Sequence, residues 1–114
     1  MKTDPRIAKS CKIISGYKCE INSGHETFRS QVSNKNYVEV HHLIPLKDQQ
    51  QYGENSLDHE ANIYCLCPNC HRLLHHAIFN QKSIILKELF EKRKTRLRKA
   101  GINLTIDNLL NSYQ

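Results

Sequence analysis

The sequence predicts an α+β fold: a small core of strand, loop, strand, turn and helix, stapled by a metal ion and flanked by N- and C-terminal helices. Three observations carry this prediction. At 114 residues, with 39% hydrophobic content, 7% aromatics and no Trp, the chain can build one domain with a modest core that a metal would reinforce. Five cysteines are an odd number, and three of them crowd into Cys65, Cys67 and Cys70 among several histidines, which favours metal ligation over a disulfide framework. Short β-forming runs lie before and within that cluster, and helix-periodic runs follow it.

Taken in order, Asp4 can cap a first helix with Pro5 at its first position. Ile7, Cys11 and Ile14 recur at helical spacing until Gly16, so residues 1–16 form an N-terminal helix whose apolar face, Cys11 included, packs on the core. Tyr17 to Glu26 is polar. Thr27 to Val32 reads as a strand, followed by a turn at Asn34-Lys35-Asn36. Tyr37 to His41 is a second strand, ending before Pro45, which cannot donate to a ladder. Lys47 to Glu60 is a polar surface loop leading to a short strand over Asn62 to Leu66. Cys67-Pro68-Asn69-Cys70 is a tight turn, and a helix runs from His71 to Phe79. The core therefore spans 17–79. In the helical segment 80–114, Ser83 caps a helix with an apolar stripe of Ile85, Leu86, Leu89 and Phe90. Ala100-Gly101 closes it, and a short final helix follows a Thr cap within Leu104 to Leu110.

Seventeen Lys plus Arg against eleven Asp plus Glu give a formal charge of +6, which favours polyanionic partners without identifying one. No apolar run follows Met1-Lys2-Thr3-Asp4-Pro5. The expectation is no signal peptide, no membrane span and a cytoplasmic protein.

Cys67-x-x-Cys70 has knuckle spacing and can present two thiolates to a tetrahedral Zn²⁺. Cys19 is the third candidate; position 22 is Asn rather than Cys, so His25 is the fourth. The alternative is that Cys19 is a buried thiol and His25 caps a loop. Cys65, on the same strand face as Cys67, competes as a ligand but suits a core position better. His71 and His75 stand at i and i+4 on one helix face, where both can bind one divalent ion. Alone, that pair is a weak signal. Its place directly after the knuckle, with His41-His42 at a strand end upstream, strengthens it. Strict alternation would send His41 and His42 to opposite faces, so both reach one phosphate only if the strand bends or ends there.

Glu39-Val40-His41-His42-Leu43-Ile44-Pro45-Leu46, then Asn62-Ile63, then Cys67-Pro68-Asn69-Cys70-His71, resembles the HNH endonuclease family in motif and order. The resemblance covers Cys19 to His75. It implies a ββα-metal (His-Me finger) core and an enzyme that hydrolyses phosphodiester bonds. It makes His42 the general base, His41, His71 and His75 the ligands of a catalytic divalent ion, and Asn62 the residue that holds the loop. Glu39 has the parity of His41 and would buttress that ligand. Family members use Mg²⁺, Mn²⁺, Ni²⁺ or Zn²⁺ at this site; three imidazoles favour the softer metals over Mg²⁺. A restriction or phage-defence role is the family-level expectation.

Lys92, Arg93, Lys94, Arg96, Arg98 and Lys99 place six cations in eight residues and can follow a phosphate backbone, while Arg72 can clamp a phosphate bidentately. DNA is the expected substrate, with RNA as an alternative. No base-reading module is visible, so a specificity subunit or a homodimer would supply selectivity. Two competing readings remain open: a non-catalytic zinc module that binds nucleic acid, and a cytotoxic nuclease held by an immunity protein.

Overall fold

The computed structural model describes residues 3–114; Met1 and Lys2, included in the predicted N-terminal segment, lie outside the described residues. Helix α1 (Pro5–Ile14) begins as expected: the Asp4 side chain accepts from the Arg6 N–H and Pro5 occupies the first turn. Strand β1 (Glu39–His42) pairs antiparallel with β2 (Ile63–Leu66), with His41 opposite Tyr64 and His42 opposite Ile63. Helix α2 (Pro68–His76) follows β2 after a single residue, α3 (Phe79–Lys99) is the long helix, and α4 (Ile106–Ser112) closes the described chain.

Cross-strand partners share a face, so the register sorts the neighbours. On one face, Tyr64 donates its hydroxyl to the Leu89 carbonyl of α3 at 2.6 Å. On the other, Cys65 lies against Cys11 of α1, whose thiol approaches the Ile63 carbonyl at 3.8 Å. β2 is buried along its whole length, as a strand covered on both faces must be. Leu43, Ile44, Leu57, Leu74, Leu86, Leu89, Leu97, Ile102 and Leu109 complete the core around it.

Arg93 stands inside this core rather than on the basic surface. It is 6% exposed, its guanidinium lies 4.1 Å from the Tyr64 ring centroid, and one nitrogen donates to the carbonyls of Glu60, Ala61 and Ile63 at 2.9–3.1 Å. Its other nitrogen meets Glu20 at 3.3 Å, and Glu20 in turn accepts from the Cys65 N–H. A guanidinium with its donors satisfied in this way carries its charge into the interior at tolerable cost. Its expected place in a phosphate-following cluster is therefore corrected.

Other elements also differ from expectation. Thr27 to Val32 forms no strand; a single bridge pairs Arg29 with Asn36, and Val32 is 92% exposed. Ile14 is exposed, although Ile7 and Cys11 are partly covered. The 47–60 segment contains a 3-10 turn over Leu46–Tyr52, and a second 3-10 turn, Glu60–Asn62, precedes β2, which begins one residue later than expected. Cys67 to Cys70 is the capped start of α2 rather than a separate turn: the Cys67 sulfur accepts from the Cys70 N–H, and Pro68 fits the first turn. α3 starts at Phe79, so Ser83 is an interior residue and not a cap. Gly101, at φ 82°, ends α3, and the Thr105 side chain caps α4.

Candidate metal centre and active cleft

Two clusters of potential metal ligands lie at opposite ends of α2's first two turns. In the first, one donor atom from each of Cys19, His25, Cys67 and Cys70 lies within 4.8 Å of every other. Around a tetrahedral zinc with Zn–S of about 2.3 Å and Zn–N of about 2.1 Å, a sulfur and a nitrogen lie about 3.6 Å apart. His25 Nδ1 stands 3.6 Å from the Cys67 sulfur and 3.4 Å from that of Cys70. Burial alone would raise the Cys19 thiol, but hydrogen bonds from the backbone of Cys67, Asn22 and Ile21 and from His25 pull it down to about 7. Burial, then the neighbouring Cys67 and Cys19, pushes the Cys70 thiol up. Sulfurs this crowded ionise together only around a cation, so the donor set could hold a metal such as zinc.

The second cluster brings His41 from β1 together with His71 and His75 from α2, again with one nitrogen of each within 4.8 Å of the others. The helical spacing of His71 and His75 sets their Nε2 atoms 3.1 Å apart. His71 Nδ1 meets a Glu39 carboxylate oxygen at 2.9 Å, and Tyr37 donates to the other oxygen at 2.9 Å. Glu39 therefore buttresses His71 and not His41, leaving His71 Nε2 free for a ligand. Burial would raise the Glu39 carboxyl, but these bonds from His71 and Tyr37 hold it below its ordinary value.

His41 is held by a residue that sequence reasoning missed. The Tyr113 hydroxyl has one proton and gives it to the Leu43 carbonyl at 2.6 Å, so at 2.7 Å it accepts from His41 Nε2. Nδ1 is then the unprotonated nitrogen of His41. Burial, reinforced by His71, His75 and His42, pushes His41 down to about 3, which keeps it in the neutral form that binds metals. Burial also lowers His75, with His71, His76, Lys82 and Arg72 adding to the effect.

His42 follows on the same strand, and its Nε2 lies 2.9 Å from an Asp58 carboxylate oxygen and 3.3 Å from the Thr3 hydroxyl. Asp58 is a second missed residue; its other oxygen accepts from the Asp4 N–H at 2.7 Å, so it fastens the start of α1 to the end of β1. Alternation does point His41 and His42 apart, but β1 ends at His42, and both residues line one open cleft of about 540 Å³. His71, His75, Lys82 and Tyr113 share that cleft. Beneath it, Asn62 is fully buried: its side-chain oxygen accepts from Ile44 N–H at 2.8 Å, and its amide donates to the carbonyls of Ile44 and Leu57 at 3.0 and 2.8 Å. Asn62 thus pins both ends of the loop that leaves β1. Of the expected phosphate contacts, Arg72, Lys92, Arg96, Arg98 and Lys99 are exposed, and Lys94 pairs with Glu91 at 2.7 Å.

No helix among the described residues is long and apolar enough to cross a membrane. Over 63 residues, 55% of this chain, the sequence is 41% identical to the type IV methyl-directed restriction enzyme EcoKMcrA of Escherichia coli strain K12, and the match spans 20% of that protein. The two-stranded sheet, the helix that follows it and the Cys/His clusters form a ββα-metal fold. The family profile described as HNH endonuclease matches residues 13–84, which hold both clusters, His42 and Asn62, and the chain belongs to the HNH endonuclease family.

Proposed function

We propose that residues 1–114 act as one nuclease domain: a metal-dependent endonuclease hydrolysing phosphodiester bonds in DNA, of restriction or phage-defence type. The observation that carries this reading is the convergence of His41, His71 and His75 in the cleft that His42 also lines. The similarity to a restriction enzyme over 63 residues supports the biological role.

In this reading His42 takes the proton of the attacking water. Asp58 accepts from Nε2–H, which fixes the imidazole and leaves Nδ1 as the basic nitrogen. Asn62 positions the loop carrying the base, and Glu39 orients His71. A divalent ion on His41, His71 and His75 would stabilise the charge on the phosphorane-like transition state and the leaving 3′ oxygen, with Mn²⁺, Ni²⁺ or Zn²⁺ suiting imidazoles better than Mg²⁺. Cys19, His25, Cys67 and Cys70 hold a structural Zn²⁺. Arg72 and the exposed cations of α3 grip the phosphate backbone, and a specificity subunit or a second copy of the chain supplies sequence selection.

The test is cleavage of supercoiled plasmid with Mg²⁺, Mn²⁺, Ni²⁺ or EDTA, beside His42→Ala. Metal-dependent nicking that falls by about 10²-fold or more in the variant is the expected result. Intact plasmid with every metal, while the protein binds DNA and carries zinc, would replace this reading with a non-catalytic binding module; cleavage of RNA alone would change the substrate.

A further inference from the structure

Lys82 is a charged residue that neither the fold nor the histidine cluster explains. It is only 9% exposed, yet it lines the cleft beside His41, His71 and His75. No Asp or Glu pairs with it among the described residues. Asp48, an acidic group whose charge acts on Tyr113, accepts from the Ser112 hydroxyl at 2.6 Å. The Lys82 amine has no hydrogen-bond partner among them either, yet is not a buried unpartnered atom, so its stem is covered while its charge reaches the cleft, 6.0 Å from the centre of the Tyr113 ring, a weak partner for a cation.

Its position on α3 is also unfavourable for the helix. Lys82 falls in the first turn of a helix with no acidic residue there and no side-chain cap, where the backbone dipole repels positive charge. The three imidazoles bring no negative charge of their own and only Glu39, behind His71, stands near them, so a divalent ion on them would share the cleft with Lys82 as a second cation. An anion bound between the two would offset the charge of both.

We infer that Lys82 and the histidine cluster form a built phosphate subsite, in which the Lys82 ammonium takes a non-bridging oxygen of the scissile phosphate. The subsite deepens the nuclease reading and rests on it for the identity of the anion. Lys82 then does two things. It fixes the phosphate's orientation before attack, and it offsets the charge that builds on the equatorial oxygens as water adds. Tyr113 sits between the two groups, its ring face 6.0 Å from the ammonium and its hydroxyl on His41.

The test uses the full chain loaded with Co²⁺ and titrated with inorganic phosphate, followed by the visible absorption of the metal. Wild type is expected to respond saturably. Lys82→Met keeps the buried stem and removes the charge; it should bind Co²⁺ as wild type does but weaken phosphate binding about ten- to hundredfold. Lys82→Arg should recover most of that loss, which a merely structural lysine would not predict. Thermal melting of each variant checks the fold. Equal phosphate affinity in wild type and Lys82→Met, or no saturable phosphate binding in wild type, would overturn the subsite. Phosphate binding that depends on Lys82, in a protein that cleaves no nucleic acid, would keep the subsite and remove the nuclease reading.

Discussion

The two ligand clusters share helix α2, yet they are built on opposite plans. Cys19, Cys67 and Cys70 are buried, and with His25 they offer four donors that close a tetrahedron. The histidine cluster offers three, grading from buried His41 through half-buried His71 to exposed His75, in an open cleft. A closed four-donor set can only hold a metal; a three-donor set leaves positions where substrate and water can reach it. The outer contacts differ in the same sense. The Cys19 and Cys67 sulfurs accept from backbone N–H groups, whereas His71 and His41 are aimed by side chains, Glu39 and Tyr113.

Breaking each cluster should therefore give different failures. The largest effect belongs to Cys70→Ser: with one donor lost, the fold should fail to assemble, read as loss of the cooperative melting transition and of bound zinc. A variant that melts normally without zinc would show that the cluster is not a staple. Next is Glu39→Gln, which keeps the size but weakens the acceptor for His71 Nδ1–H. Metal affinity at the histidines should drop about 10- to 100-fold, while the melting temperature of the metal-free form stays near that of wild type. Unchanged affinity in a calorimetric titration would mean that the Glu39 contact does not orient the ligand. The smallest effect is Tyr113→Phe, which removes one hydroxyl shared by Leu43 and His41 and should cost about 1–1.5 kcal/mol in urea unfolding. No loss of stability would place α4 outside the cooperative unit.

The α2 half of each cluster was legible in the sequence because its spacing is local, Cys67-x-x-Cys70 and His71-x-x-x-His75 being fixed by a helix turn; Cys19 and His25 came from the need for further donors, and His41 from the family's motif. Also legible were the Asp4-Pro5 start, the Leu86 and Leu89 stripe and the Gly101 stop. Partners far apart in sequence were not legible. Asp58 meets His42, and Tyr113 meets His41 across 72 positions, only because the fold brings them together. The strand over 27–32 failed for a related reason: its pairing with 35–37 stops at a single bridge, no further strand among the described residues extends it, and Phe28 and Val32 are left exposed. Arg93 carried a signal that counting charges overlooked. It lies in phase with Leu86, Leu89 and Leu97 on the buried face of α3, four residues from the latter two, whereas Lys92, Arg96 and Lys99 point away.

That inward arginine has a mechanical consequence. Its three bonds to the carbonyls of Glu60, Ala61 and Ile63 flank Asn62, the residue that pins the loop leaving β1. The inner face of α3 is thus bolted to the loop that seats His41 and His42, while its outer face carries Lys92, Arg96 and Lys99. A backbone gripped on that outer face would be measured off against the cleft by a rigid strut, with no hinge between handle and blade.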